Sequence, residues 1–102
     1  MNVFTAEDLF PENLNTLTVV DCWAPWCGPC RMVAPVLEQL SGEYEGKAVF
    51  GKLNVDDYPE AAMALGVMSI PTVIAFKDGK EVARVIGMQG KAAFKALIDR
   101  NL

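Results

Sequence analysis

The sequence contains no histidine and only three cysteines. The first absence excludes a Cys–His nucleophile pair and every histidine-ligated metal site. The second, an odd count, is unlike the dense disulfide framework of a small secreted protein. Long apolar runs are missing too, since nothing approaches the roughly 20 residues that span a bilayer. Met1 to Leu9 carries Glu7 and Asp8 and lacks a basic segment followed by an apolar one. That leaves no signal-peptide pattern and makes the cytoplasm the expected location, away from membranes. Basic residues number 9 against 13 acidic, for a net charge of −4, and none cluster. The concentrated cationic face that nucleic-acid binding requires is therefore not expected.

What is present suffices for an ordinary core. The 102 residues are 52% hydrophobic, enough for one domain over residues 1–102 to fold without staples or metals. A brief edge strand near Val3 and Phe4 precedes Thr5 and Asp8, a capping pair opening a short helix through about Leu14. TLTVVDCW (16–23) is apolar on both faces and rich in β-branched residues, as a central strand is. A longer helix is predicted over 28–44, with Met32, Val33, Val36, Leu37 and Leu40 as its inward stripe. Residues 47–55 read as a strand, and Asp57 is expected to cap a short helix that Gly66 ends. TVIAFK (72–77) and KEVARVI (80–86) flank Asp78-Gly79, a two-residue hairpin signal, and a last amphipathic helix starts near Lys91. The order βαβαβαββα predicts an α/β fold: a central mixed sheet of about five strands flanked by helices on both sides.

Chemistry concentrates in WAPWCGPCRM (23–32), where Cys27 and Cys30 stand three apart. As a structural staple the pair would close four residues and contribute only about 2 kcal/mol. A structural zinc site needs four ligands, and one Cys-x-x-Cys without histidine cannot supply them. No metal is expected. Reversible thiol chemistry remains. Cys27 falls just before the long helix, where unpaired N–H groups and the positive dipole end favour a thiolate. Cys30 lies one turn further on the same face, so the sulfurs can meet, and Cys27 should be the one a substrate reaches. Gly28 eases entry to the helix, and Pro29 fits a first turn where its missing N–H costs nothing. Cys22, in the central strand, reads as a small buried hydrophobe rather than a redox group. Asp21, in the same apolar run, is either a costly buried carboxylate or a strand-end group reaching water. Lys52 is either its partner or a surface lysine on an alternating strand.

WAPWCGPCRMVAP resembles the active-site segment of the thioredoxin family. VVDCWA, KLNVDD (52–57), SIPT (69–72) and FKDGKEV (76–82) match the same family in the same order, so the likeness covers nearly the whole chain. A lone Cys-x-x-Cys is weak; five segments in register are specific. The resemblance implies the thioredoxin fold and a protein-disulfide reductase, with Cys27 as nucleophile, Cys30 as resolving thiol and a Cys27–Cys30 disulfide. It implies a buried Asp21 that exchanges a proton with Cys30, and Lys52 beside it. It makes Ile70-Pro71 the family's cis-proline turn, with Trp26, Gly28, Pro29, Ile86, Gly87 and Met88 completing an apolar substrate surface. It implies a monomer without bound cofactor, acting on protein disulfides and receiving electrons from NADPH through thioredoxin reductase. An oxidase or isomerase of the family, or a redox-independent binding module, are the alternatives. Gly28-Pro29 lacks the histidine of more oxidising relatives. Met68 stands where basic residues are common in relatives, a difference that bears on partner preference.

Overall fold

Segments rich in β-branched and aromatic residues form one five-stranded sheet in the computed structural model, which describes residues 1–102. The strands are β1 (Asn2–Val3), β2 (Thr18–Trp23), β3 (Val49–Asn54), β4 (Thr72–Lys77) and β5 (Lys80–Ile86). In space they run β1-β3-β2-β4-β5. β3 is parallel to both β1 and β2, whereas β4 is antiparallel to β2 and β5, so the sheet is mixed. Three helices accompany it: α1 (Gly28–Glu43), α2 (Pro59–Ala64) and α3 (Lys91–Asp99). This is the α/β architecture that the alternation predicts, and it agrees with the thioredoxin fold that the resemblance implies.

Strand parity sorts the core into two layers. Val19, Val73 and Ala75 pack with Val33, Leu37 and Leu40 of α1 and with Phe94 and Ile98 of α3. Val20, Cys22 and Ile74 face the opposite side with Leu14 and Leu53, where Ala61 of α2 and Leu65 cover them. Asp21 shares the parity of Val19 and so points to the α1 side, away from Cys22. The Asp78-Gly79 turn closes β4 onto β5 with φ of 54° and 78°, the left-handed pair a two-residue hairpin requires.

Three expectations are corrected. The segment after Thr5 is not one helix but two 3₁₀ turns, Ala6–Leu9 and Pro11–Asn13. Pro11 drives Phe10 into extended backbone and breaks the run, although the Thr5–Asp8 capping pair does form at 2.7 Å. α2 is entered from Tyr58 rather than Asp57, with no side-chain cap, because Pro59 itself starts the helix. Met32 is not part of the inward stripe of α1: it is 67% exposed. Cys30, Val33, Leu37 and Leu40 recur at the helical period, and Met32 lies about 100° around from Val33.

The edge of the sheet depends on one close approach. Phe4 donates its N–H to Lys52 O at 2.8 Å and lays its ring over Gly51, where a Cβ would come within 2.4 Å of the ring carbons. Gly51→Ala should therefore cost about 1–3 kcal/mol through overpacking. Phe4→Ala opens that space, so the double variant should lose less than the sum of the single losses. Urea denaturation of the four proteins measures this, and strictly additive losses would show that the two residues do not compete for one volume.

Candidate active site

β2 ends at Trp23, and Ala24-Pro25-Trp26 turns the chain into α1. Cys27 is the residue at which the helix starts. Its backbone is extended (φ −86°, ψ 107°), and its sulfur accepts the N–H of Cys30 at 3.2 Å, as a capping side chain does. Pro29 sits in the first turn. The Cα atoms of Cys27 and Cys30 are 5.3 Å apart and their sulfurs are bonded, a separation ordinary disulfides share. In this bonded state Cys27 is only 3% exposed, less open than a helix-tip sulfur was expected to be. The bond draws its sulfur onto the helix, and Ala24, Trp23 and Ile70 pack around the pair. Trp26, Gly28 and Pro29 on either side are exposed, so Cys27 lies directly beneath the surface.

The entry loop is tied down by groups whose part in the site the sequence did not announce. Trp26 Nε1 donates to both Asp56 carboxylate oxygens at 3.0 and 3.2 Å, and Asp56 N–H donates to Asn54 Oδ1 at 2.9 Å. Arg31 donates to Pro25 O at 2.7 Å. Asp56 lies in the KLNVDD segment, so its position was visible although its partner was not. Farther back, Arg84 donates to Leu65 O at 2.7 Å while paired to Glu81 at 2.6 Å, holding the end of α2 in place. Nothing in an alternating β5 marks that long-range contact.

The Ile70–Pro71 peptide is cis. Its turn is fixed from both sides: the Thr72 hydroxyl donates to Ser69 O at 2.6 Å, and Gly87 N–H donates to Pro71 O at 2.8 Å. The second bond, with the pairing of Thr72 and Ile86, brings the exposed Ile86 and the chain entering Met88 to the proline turn. Ile70 packs against the cysteines, yet neither its N–H nor its C=O is hydrogen-bonded within the chain. Between Trp26 and Ile70 opens a groove of about 560 Å³, lined also by Pro59, Met63, Val67 and Met68.

Beneath the pair sits Asp21, 2% exposed, with Oδ1 lacking any hydrogen-bond partner. Burial pushes its carboxyl up to about 7, and the charge of Lys52 opposes the rise. Lys52 is the register neighbour of Asp21 on β3, but the two form no direct ion pair; its ammonium lies over the Trp23 ring, 5.5 Å from the centroid. A cavity of about 130 Å³ joins Asp21, Lys52 and Cys30, room for about four waters. On the other face, Cys22 is fully buried and pushed up to about 12, first by burial and then by the charge of Asp21. It stays a thiol. No cluster of three potential metal-ligating side chains forms.

Asp21 carries a pH signature. Its folded pKa of about 7 lies above the ordinary 3.8, so the folded state holds the proton more tightly and stability falls as pH rises from about 4 to 7. Asp21→Asn removes the titration, and at pH 8 it should be more stable than the native chain by about 4 kcal/mol. That gap should close below pH 4. Denaturant titrations of both proteins across this range check it, and a pH-independent difference would place the carboxyl in contact with water.

The comparisons with known proteins agree with this geometry. A family model described as Thioredoxin matches residues 2–100. A protein named "Thioredoxin" from Staphylococcus haemolyticus is 51% identical over 94 residues, 91% of this chain and 90% of its own length. One of the same name from Staphylococcus saprophyticus is 50% identical over the same shares, and one from Staphylococcus aureus is 54% identical over 82% and 81%. With half of the residues shared across nine-tenths of the chain, and the bonded cysteine pair placed where α1 begins, the chain belongs to the thioredoxin family and is a thiol–disulfide oxidoreductase.

Proposed function

We propose that Cys27 and Cys30 carry electrons, two at a time, to disulfides of protein substrates, with residues 1–102 acting as a single monomeric domain. The observation that carries this is the bonded pair at the start of α1 beside an unpaired Ile70 backbone. In the reduced protein the Cys27 thiolate attacks one sulfur of a substrate disulfide. A mixed disulfide forms and the first substrate thiolate leaves. Cys30 then attacks Cys27, which releases the second substrate thiolate and closes the Cys27–Cys30 bond. The N–H and C=O of Ile70 can pair with an extended substrate chain, as an edge strand would. Trp26, Gly28, Pro29, Pro71, Ile86, Gly87 and Met88 supply apolar and backbone contacts that suit many sequences.

Asp21 accepts the proton of Cys30 across the intervening cavity, and a carboxyl near 7 is well matched to that task. Lys52 limits how far burial raises it. Acidity at Cys27 explains little by itself. Lowering a thiol from about 8.5 to about 7, the value the thioredoxin family itself supplies, raises the thiolate fraction about 15-fold at pH 7. The accompanying fall in nucleophilicity returns about 5- to 6-fold. The net gain of about threefold leaves positioning as the larger contribution. The chain offers no dinucleotide fingerprint, so a partner must deliver the electrons; thioredoxin reductase using NADPH, in the cytoplasm, fits the family. No helix of the chain is long and apolar enough to cross a membrane.

Insulin reduction tests the reading. Cys27→Ser should abolish it, whereas Cys30→Ser should stall as a mixed disulfide visible by mass spectrometry. A native protein that reduces no insulin would be a binding module, and a reduction potential as oxidising as the exported compartments would indicate an oxidase. Alkylation of the reduced, folded protein should label Cys27 quickly and leave Cys22 unmodified, because Cys22 is sealed and protonated. Asp21→Asn should slow turnover at pH 7 by up to about 30-fold, the ceiling set by the roughly 3% of an ordinary thiol ionised unaided. Its rate should then climb with pH where the native rate has levelled; an unchanged profile would remove Asp21 from the proton path.

A further inference from the structure

Five methionines occur in the chain, and two of them stand in an unusual place. Met63 and Met68 are 78% and 97% exposed, and both line the groove that opens between Trp26 and Ile70. Met63 is on α2, facing away from the buried Ala62, and Met68 lies on the loop that leads to the proline turn. An apolar side chain almost wholly in water gains nothing for the fold. Thioether side chains are unbranched and polarizable, so they adapt to partners of different shape, which suits a surface that meets many sequences. The groove runs from Trp26 to Ile70, beside the cysteine pair, and on the reductase reading the polypeptide on one side of a substrate disulfide crosses it.

We infer that Met63 and Met68 are sites of oxidation by hydroperoxides, and that their conversion to sulfoxides weakens docking of protein substrates without touching the redox pair. The inference rests on the reductase reading above. In the step itself a thioether lone pair attacks one peroxide oxygen and the O–O bond breaks. The sulfur gains that oxygen and is oxidised by two electrons, and hydrogen peroxide is reduced to water. The product is polar and chiral where the groove was apolar, so a substrate segment must now cover an S=O group it cannot satisfy. Arg84 and its hold on Leu65 keep this wall from withdrawing. The Cys27–Cys30 bond shields those sulfurs from the same oxidant, and Cys22 is buried as a thiol.

The test treats the disulfide form with hydrogen peroxide, removes the oxidant, and maps oxygen addition by peptide mass spectrometry. Insulin reduction driven by dithiothreitol is then compared with reduction of 2-hydroxyethyl disulfide, which is too small to reach across the groove. Oxygen on Met63 and Met68, with kcat/KM for insulin down about three- to tenfold and the small disulfide unaffected, is the expected result. A Met63→Leu, Met68→Leu protein, each preparation compared with its own untreated rate, should lose most of the peroxide effect on insulin, the exposed Met88 of the substrate surface accounting for any remainder. Equal loss on both substrates, no loss on either, or the same loss in the leucine variant would each overturn the inference. Failure of the untreated protein to reduce insulin would instead overturn the reductase reading, so the two failures are distinct.

Discussion

Everything at the site turns on a sulfur serving as the cap of a helix. Cys27 stands where a serine or aspartate would ordinarily accept the first free N–H groups, and the Cys30 N–H points at its sulfur. That bond does two things at once. It gives an otherwise unsatisfied backbone donor a partner, and it places the sulfur in the positive field of α1, where a thiolate is favoured over a thiol. The spacing of the pair follows from the same arrangement, because one helical turn below the cap is where Cys30 must lie. Oxidation and reduction can then proceed with the helix intact.

The cap alone would not set the chemistry without the sheet behind it. β2 delivers Trp23 to the loop and, two residues earlier on the same face, Asp21 to the space under Cys30. A carboxyl there is a local conflict: it has no hydrogen-bond partner for Oδ1, and burial pushes it up to about 7 against the pull of Lys52. Folds do not keep such a group for stability, since removing its charge should strengthen the native state. The adjoining residue shows how narrow the placement is. Cys22, one step along β2, faces the opposite layer and packs into its apolar cluster, so burial silences it. Parity separates a group that can exchange a proton near neutrality from one that cannot.

Much of this was legible beforehand, and the misses have identifiable causes. Strand β2, helix α1, the hairpin at Asp78-Gly79 and the three-residue spacing of the cysteines are local signals, each carried by a few adjacent residues. Proline outranked two local signals: Pro11 broke one expected helix, and Pro59 displaced Asp57 at the start of another. Apolar character misled at Met32, because a hydrophobic residue beside a helical stripe is not on it. Contacts between distant segments had no sequence signature at all. The grip of Asp56 on Trp26, and of Arg84 on the end of α2, exist only once the sheet has brought those segments together. Lys52 beside Asp21 was implied by the family resemblance, but its lean toward the Trp23 ring was not.

These long-range ties explain how a reaction with so little help from acidity can proceed. If a lowered pKa yields only about threefold, the remaining acceleration must come from presenting two sulfurs in line. That requires a wall on each side of Cys27 that does not drift. Asp56 fixes the indole on one side, while the bonds from Thr72 and Gly87 fix the Ile70-Pro71 turn on the other. Between the fixed walls the lining includes the thioethers of Met63 and Met68, which are unbranched and adaptable. On the proposed reading, rigid backbone with adaptable side chains lets one geometry of attack serve substrates of unrelated sequence. Pre-organisation is confined to the reacting sulfurs, and tolerance is confined to the groove that leads to them.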